Sequence, residues 1–426
     1  MNATTRGFIV FLVLIGVLVA CAVFSFGVLP GMNVGVAIPV IMVPGEPYDP
    51  TLPVESFRWT NTLTAMVLSS LAVIVFAVLA WRDSKGWTKQ VPGRYQSWVE
   101  LLGGFLYGQA KQMAGKNARL LFPLVASIFV FLLAVNWMKL LPGVESVGVL
   151  HCAEEGFNGY PMVQIGNGAY QLYVDRPLNG GTGTSHEDYE ACEHYKHDPS
   201  LKPSKEAVES VADQLEIREA ELVERLNVEG ILGEAQEPQI AAQRLLAAES
   251  LYEHATMPLS AEQLREGAVP YSFVITPYVR GGSTDLNLAI ALALISVIAI
   301  QVFGVIANGP NYFQKYINLR ALGNLGKKPL GAIDFVVGLI EIISELGKII
   351  SLAFRLFGNM FAGGILLIVM AFLVSLIVPA LFIGLELIVT TIQAYVFAVL
   401  TLVFSAQAME GHHDDGDAHT TEEHHA

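Results

Sequence analysis

Ile340-Glu-Ile-Ile-Ser-Glu-Leu-Gly-Lys-Ile-Ile-Ser-Leu-Ala-Phe-Arg-Leu-Phe-Gly-Asn-Met-Phe-Ala-Gly-Gly364 is apolar enough to lie in a bilayer, yet it carries Glu341, Glu345, Lys348, Arg355 and Asn359. The intervals between these residues are four, three, seven and four, so at ~3.6 residues per turn they fall near one face of a helix. A guanidinium near mid-membrane costs roughly +2.5–3.5 kcal/mol on insertion scales and marks a functional site. Arginine cannot escape that penalty by losing its proton, because its pKa lies above ~12. No acidic residue stands within one helical turn of Arg355. The stretch therefore predicts a membrane helix whose charge is balanced from elsewhere.

Outward from this stretch the apolar runs repeat. The 426-residue chain is 53% hydrophobic, with a mean hydropathy of +0.49. Runs cover 7–29, 63–81, 120–141, 286–307, 333–378 and 380–406, and stretches of about 20 apolar residues can cross a ~30 Å hydrocarbon core. A multi-pass membrane protein is the expectation. The fifth run, ~69 Å long as a helix, must tilt steeply or lie partly in the interface. Segment 94–118 repeats Trp98, Leu101, Leu102, Phe105, Leu106 and Gln109 at helical spacing and is expected on the membrane surface. Arg82, Lys85 and Lys89, then Lys315, Arg320, Lys327 and Lys328, mark cytoplasmic loops by the positive-inside rule. The first run, with Leu18-Val-Ala-Cys21, fits a cleaved signal, a lipidated Cys21 or a retained anchor. The Pro- and Gly-rich connector from Pro30 to Pro53 reads as an irregular exposed loop.

Residues 151–276 hold 8 Lys/Arg and 22 Asp/Glu, which accounts for the whole net charge of −14. That acidity argues against a nucleic-acid partner. The order of spans places this block on the outer side. Its first part, around Gly180-Gly-Thr-Gly183, reads as loop-rich. Beyond Pro203 it reads helical: Val208, Val211, Leu215, Leu222 and Leu226 form one stripe, Pro238 to His254 a second helix, and a short helix starts near Ser260. Cys152 and Cys192 would face an oxidising compartment, where a disulfide between them is one reading. No Cys-x-x-Cys pair suggests zinc or redox chemistry. The tail, 412–426, is acidic and His-rich and reads as disordered, with metal binding as the compositional alternative.

Two polar sets occupy the last two runs. One is Glu341, Lys348, Ser351, Arg355 and Asn359; the other is Glu386, Thr390 and Gln393. Each has a plainer reading: Glu345 with Lys348 as a neutralising ion pair, and Gln393 as helix-packing glue. A transporter or channel gated by an Arg–carboxylate pair is a competing function, but the internal repeat of such folds is not visible. A membrane anchor for an outer binding domain leaves Arg355 without a role.

Arg355-Leu-Phe-Gly-Asn-Met-Phe-Ala-Gly363 resembles the signature of subunit a of the F-type ATP synthase. Further pieces agree in order: Pro92-Gly-Arg-Tyr-Gln96 with Glu100, Pro123, Asn136-Trp-Met-Lys-Leu-Leu-Pro142, Thr284-Asp-Leu-Asn287 and Gln393-Ala-Tyr-Val-Phe-Ala-Val-Leu-Thr401. The resemblance implies that Arg355 faces a ring of c subunits, with Asn359 and Gln393 as polar neighbours. Glu341 and Ser351, on the face that also carries Lys348, would line a cytoplasmic half-channel; Asp285, Asn287 and Glu386 would belong to an outer one. It also implies a non-catalytic, ion-translocating subunit with no cofactor and no metal site. Its partners would be the c ring, b-type peripheral stalk subunits, the rest of the complex and the lipid bilayer. The setting would be a bacterial inner membrane with the C-terminal tail in the cytoplasm.

Two departures from the family pattern stand out. Where the family often has a carboxylate or histidine nine residues after the arginine, this chain has Gly364, while Glu386 lies seven before Gln393. No histidine falls in the last hairpin, so Glu386 is expected to work through water. The second departure is the long block itself, in place of a short outer loop. The expected fold is an all-α membrane protein with five to six membrane helices, a steeply tilted C-terminal hairpin, a surface amphipathic helix and a largely helical insertion. The expected divisions are 1–58 (apolar segment and connector), 59–150 (first membrane helices), 151–276 (insertion), 277–410 (channel helices) and 411–426 (tail).

Overall fold

The computed structural model describes residues 16, 37, 43–48, 57–87, 92–141, 143–166, 169–174, 180–197, 209–210, 212–217, 259–309, 312–313, 316, 331–373 and 378–410. Nearly all of run 7–29, the helical stretch expected over Pro238 to His254, the basic residues Lys315, Arg320, Lys327 and Lys328, and the tail lie outside these residues. In chain order the first elements are α1 (Asn61–Ser84), α2 (Arg94–Ala114), α3 (Ala118–Met138), β1 (Gly148–Cys152), β2 (Asn158–Gly166), β3 (Ala169–Leu172) and β4 (Thr182–Gly183). There follow α4 (His186–His197), α5 (Ala261–Arg265), β5 (Ala268–Pro277), α6 (Leu286–Asn308), α7 (Gly331–Leu373) and α8 (Val378–Met409). The chain divides into two compact units, one of residues 43–144, 279–363 and 386–426, the other of 1–42, 145–278 and 364–385.

The first unit is helical. Among the described residues of the whole chain, five segments are long and apolar enough to cross a membrane: Asn61–Ser84, Arg94–Met138, Leu286–Asn308, Val336–Ala371 and Pro379–Met409, the last two running partly into the second unit. Helices satisfy their own backbone where no water can, and the apolar runs predict this part well. α1 begins where the Thr60 hydroxyl accepts from the Leu63 N–H at 3.2 Å, an N-cap. α2 stops at Gly115, whose φ of +53° suits a residue without a Cβ. One 3-10 turn, Gly115–Asn117, then leads into α3. α7 is continuous over 43 residues.

The core of this unit gathers Leu106 and Ala110 of α2, Leu121, Val125, Ile128 and Leu132 of α3, Leu292 of α6, Leu352, Leu356 and Met360 of α7, and Phe397 and Leu402 of α8. Lipid gives little hydrophobic force between helices, so close approach at small residues must supply the packing. Ala289, Ala293, Ala353, Ala394 and Ala398 provide it. α2 joins this core on one face, with Tyr107 edge-on to Phe122 at 5.4 Å, while Trp98, Leu101 and Phe105 remain exposed. On α7 the opposite face carries Ile343, Leu346, Ile350 and Phe354, each more than half exposed.

The second unit corrects one expectation. The insertion was expected to be largely helical with a loop-rich start, yet its ends form a five-stranded antiparallel sheet in the order β1-β5-β2-β3, with β4 beside β2. The Val-, Tyr- and Phe-bearing run of β5 sits centrally, pairing β1 (Cys152 opposite Phe273) on one side and β2 on the other. Residues 209–210 and 212–217 are helical, and Leu215 is buried, in line with the expected stripe. α5 starts at Ser260 with a reciprocal capping box to Gln263. Cys152 and Cys192 are bonded, with Cα atoms 5.8 Å apart, and tie β1 to α4. Closing a loop of 40 residues in the unfolded chain restrains it by about 4 kcal/mol. Tyr195 of α4 stacks on Tyr271 of β5 at 4.5 Å, and burial pushes both phenols up to about 12.

Candidate functional site

Burial of Leu352, Leu356 and Met360 fixes the rotation of α7 and turns Arg355 outward, beside Phe354 and Asn359. The Arg355 guanidinium donates to the Ser351 hydroxyl at 3.4 Å. Among the described residues no carboxylate lies within ion-pair distance of it. Asn359 Nδ2 donates to Gln393 Oε1 at 2.6 Å and ties α7 to α8. Gln393 is buried, and its Nε2 has no hydrogen-bond partner among the described residues. Four residues singled out in the sequence thus form two pairs, Arg355 with Ser351 and Asn359 with Gln393, along successive turns of α7.

Glu386 goes elsewhere. It forms an ion pair with Lys139, at the C-cap of α3, with side chains only 8% and 4% exposed. Lys139 Nζ also donates to the Met360 carbonyl at 3.2 Å. Asn136, three residues before Lys139, donates to the Thr390 carbonyl at 3.2 Å, while its Oδ1 has no partner among the described residues. The carboxyl of Glu386 occupies the space that a side chain on Gly363 would fill, whereas a Cβ on Gly364 would meet nothing within 4 Å. The glycine that accommodates Glu386 is therefore the one before the position flagged by the resemblance. Sequence reasoning quoted Lys139 only within Asn136-Trp-Met-Lys-Leu-Leu-Pro142 and gave it no role of its own.

Glu345 and Lys348 pair with each other at 2.7 Å, the plainer reading of the two, and the Lys348 ammonium lies 5.2 Å from the Phe404 ring centroid. Glu341, one turn earlier, is half-buried. Nearby in sequence to α6, Tyr312 and Tyr316 both donate to Gln301 Oε1, at 2.9 and 2.8 Å. Burial raises the Tyr316 phenol above its ordinary value, and the Tyr312 hydrogen bond and the Glu345 charge act in the same direction.

Asp285 is buried and caps α6. Its Oδ1 accepts from the Asn287 N–H at 2.8 Å, and its Oδ2 accepts from the Thr62 hydroxyl at 2.7 Å and the Gly45 N–H at 3.2 Å. Asn287 itself is exposed. Next to this cap, Glu46 accepts from Asn61 Nδ2 at 2.9 Å and returns its own N–H to Asn61 Oδ1 at 3.1 Å. Burial lifts the Glu46 carboxyl above the usual range, against the opposing pull of Arg280 and Asn61. Part of the connector expected to be irregular is thus a strap bonded to the starts of α1 and α6.

A guanidinium inside the apolar span Val336–Ala371 with no carboxylate in reach among the described residues, on a helix tied to a buried amide of α8, together with a separate buried ion pair, is a feature of multi-pass helical membrane proteins that handle charge. The sequence model of the ATP synthase A chain matches residues 63–159 and 255–406. The chain belongs to that family: it is a multi-pass, ion-translocating subunit of the ATP synthase membrane sector and is not itself the catalytic subunit.

Proposed function

We propose that this subunit is the stator against which a ring of c subunits turns, with two offset proton half-channels that meet the ring on either side of Arg355. One observation carries the reading: Arg355 is exposed, without an acid of the described chain in reach, on a helix whose outward face is apolar. Such a surface suits a rotor that brings its own carboxylate. A rotor carboxylate crosses lipid only when neutral, because burying its charge costs several kcal/mol. Near Arg355 the ionised form is favoured, so the proton must leave before the arginine and be replaced after it. The fixed positive charge also repels a proton passing straight from one half-channel to the other. Each proton crossing gains ~2.3 kcal/mol per 100 mV, so several are needed per ATP.

Glu341, Ser351 and the Lys348 face line the cytoplasmic half-channel in this reading, and Glu386, Asp285 and Asn287 the outer one. The orphaned polar atoms of Asn136 and Gln393 support hydrated paths, since buried polar groups ordinarily find a partner. The insertion lies on the outer side, the tail in the cytoplasm of a bacterial cell, and b-type stalk subunits hold the stator still. The test is Arg355→Ala in inverted membrane vesicles. Proton-driven ATP synthesis is expected to be abolished and passive proton leak to rise; full synthesis in that variant overturns the proposal.

A further inference from the structure

We infer that Lys139 is a positioning residue for proton transfer, which holds Glu386 in register with the Arg355 turn of α7. The inference rests on the stator reading and adds to it a residue outside the polar sets already assigned. Three contacts carry it. Lys139 and Glu386 form an ion pair that is almost fully buried. The same ammonium donates to the carbonyl of Met360, which stands on α7 between Asn359 and the glycine that receives the Glu386 carboxyl. Asn136, on the same helix as Lys139, donates to the carbonyl of Thr390, one turn beyond Glu386 on α8. One cation thus fixes a carboxylate of α8 and a backbone oxygen of α7 at once.

An ammonium has three donors and no acceptor, so it can hold a carboxylate and a carbonyl together while neutralising the buried carboxylate, which no neutral donor can do. A proton relay needs this placement, because displacement by ~1 Å can lower a transfer rate up to ~100-fold. Lys139 does not exchange a proton in this scheme; it acts through Glu386. It also occupies Glu386 as counter-charge, which keeps that acid from pairing with Arg355.

The test uses complete ATP synthase complexes in sealed vesicles, with ATP-driven proton pumping measured beside ATP hydrolysis and the amount of assembled complex. Lys139→Arg is expected to retain most pumping. Lys139→Met is expected to lower pumping ~10-fold or more at unchanged assembly, with ATP hydrolysis by the coupled complex falling in step because the ring turns only as protons are exchanged. Should Lys139→Met fail to assemble, Lys139→Met/Glu386→Gln leaves no lone buried charge and is compared with Glu386→Gln alone. Equal residual pumping in those two is expected, since Lys139 acts only through Glu386. Wild-type pumping by Lys139→Met, or a double variant well below Glu386→Gln, overturns the inference. Arg355→Ala in the same vesicles separates the two failures: if it pumps normally the stator reading is lost, and if it is dead while Lys139→Met is normal only the role of Lys139 is lost.

Discussion

A single methyl decides how Glu386 is seated. Gly363 leaves the space its carboxyl occupies, and we expect Gly363→Ala to reduce ATP-driven pumping several-fold. Glu386→Asp, one methylene shorter, is expected to restore part of that loss; no restoration would mean that the contact is incidental. Glu46 offers a pH signature outside the membrane spans. Its carboxyl is raised by burial, so between the ordinary value and the raised one the folded chain holds a proton that the unfolded chain has released. By linkage the folded strap loses stability as pH climbs through that window. Glu46→Gln imitates the protonated acid. Amide exchange at residue 46, whose N–H donates to Asn61, is expected to be slower in the variant than in the wild type at neutral pH, with the gap closing on acidification.

The start of α6 depends on a single side chain. Asp285 caps it and also accepts from Thr62 and Gly45. Asp285→Ala is expected to cost about 1 kcal/mol for the cap and a further ~1–3 kcal/mol for the buried hydroxyl left without its acceptor. Asp285→Asn keeps one acceptor oxygen and is expected to cost less. Faster amide exchange at Asn287 and Gly45 in the alanine variant, and less so in the asparagine variant, is the check. The spans themselves were legible as apolar runs, because a bilayer leaves the backbone few alternatives to helix. The strands were not. Pro161 lies inside β2, Pro270 inside β5 and glycines at strand ends, and such residues argue against a strand when only local pattern is read. β5 pairs with β1 from the opposite end of the block, a long-range partner that no window of sequence contains.

The molecule as a whole combines a lipid-facing helical unit with a unit stapled by a disulfide. Removing that bond, as in Cys192→Ser, is expected to destabilise the sheet unit by about 4 kcal/mol. Protease resistance of the insertion is expected to fall in the variant, and in the wild type under reducing conditions, while the membrane helices stay protected. Equal resistance with and without reductant would mean that the sheet holds by packing alone. The family match is interrupted over 160–254, which contains most of the acidic excess counted in the sequence, so the family's own fold does not explain this addition.

Periodicity and cost in lipid showed from the sequence that the chain is a multi-pass membrane protein and that no acid stands within one turn of Arg355 on its own helix. Which groups meet was left to the packed fold. One residue along a helix turns the side chain by ~100°, so spacing alone could not choose Gly363 over Gly364 as the seat for Glu386. Nor could it bring Lys139 to that acid, since their meeting depends on the rotation of three helices fixed by small and apolar residues in the core.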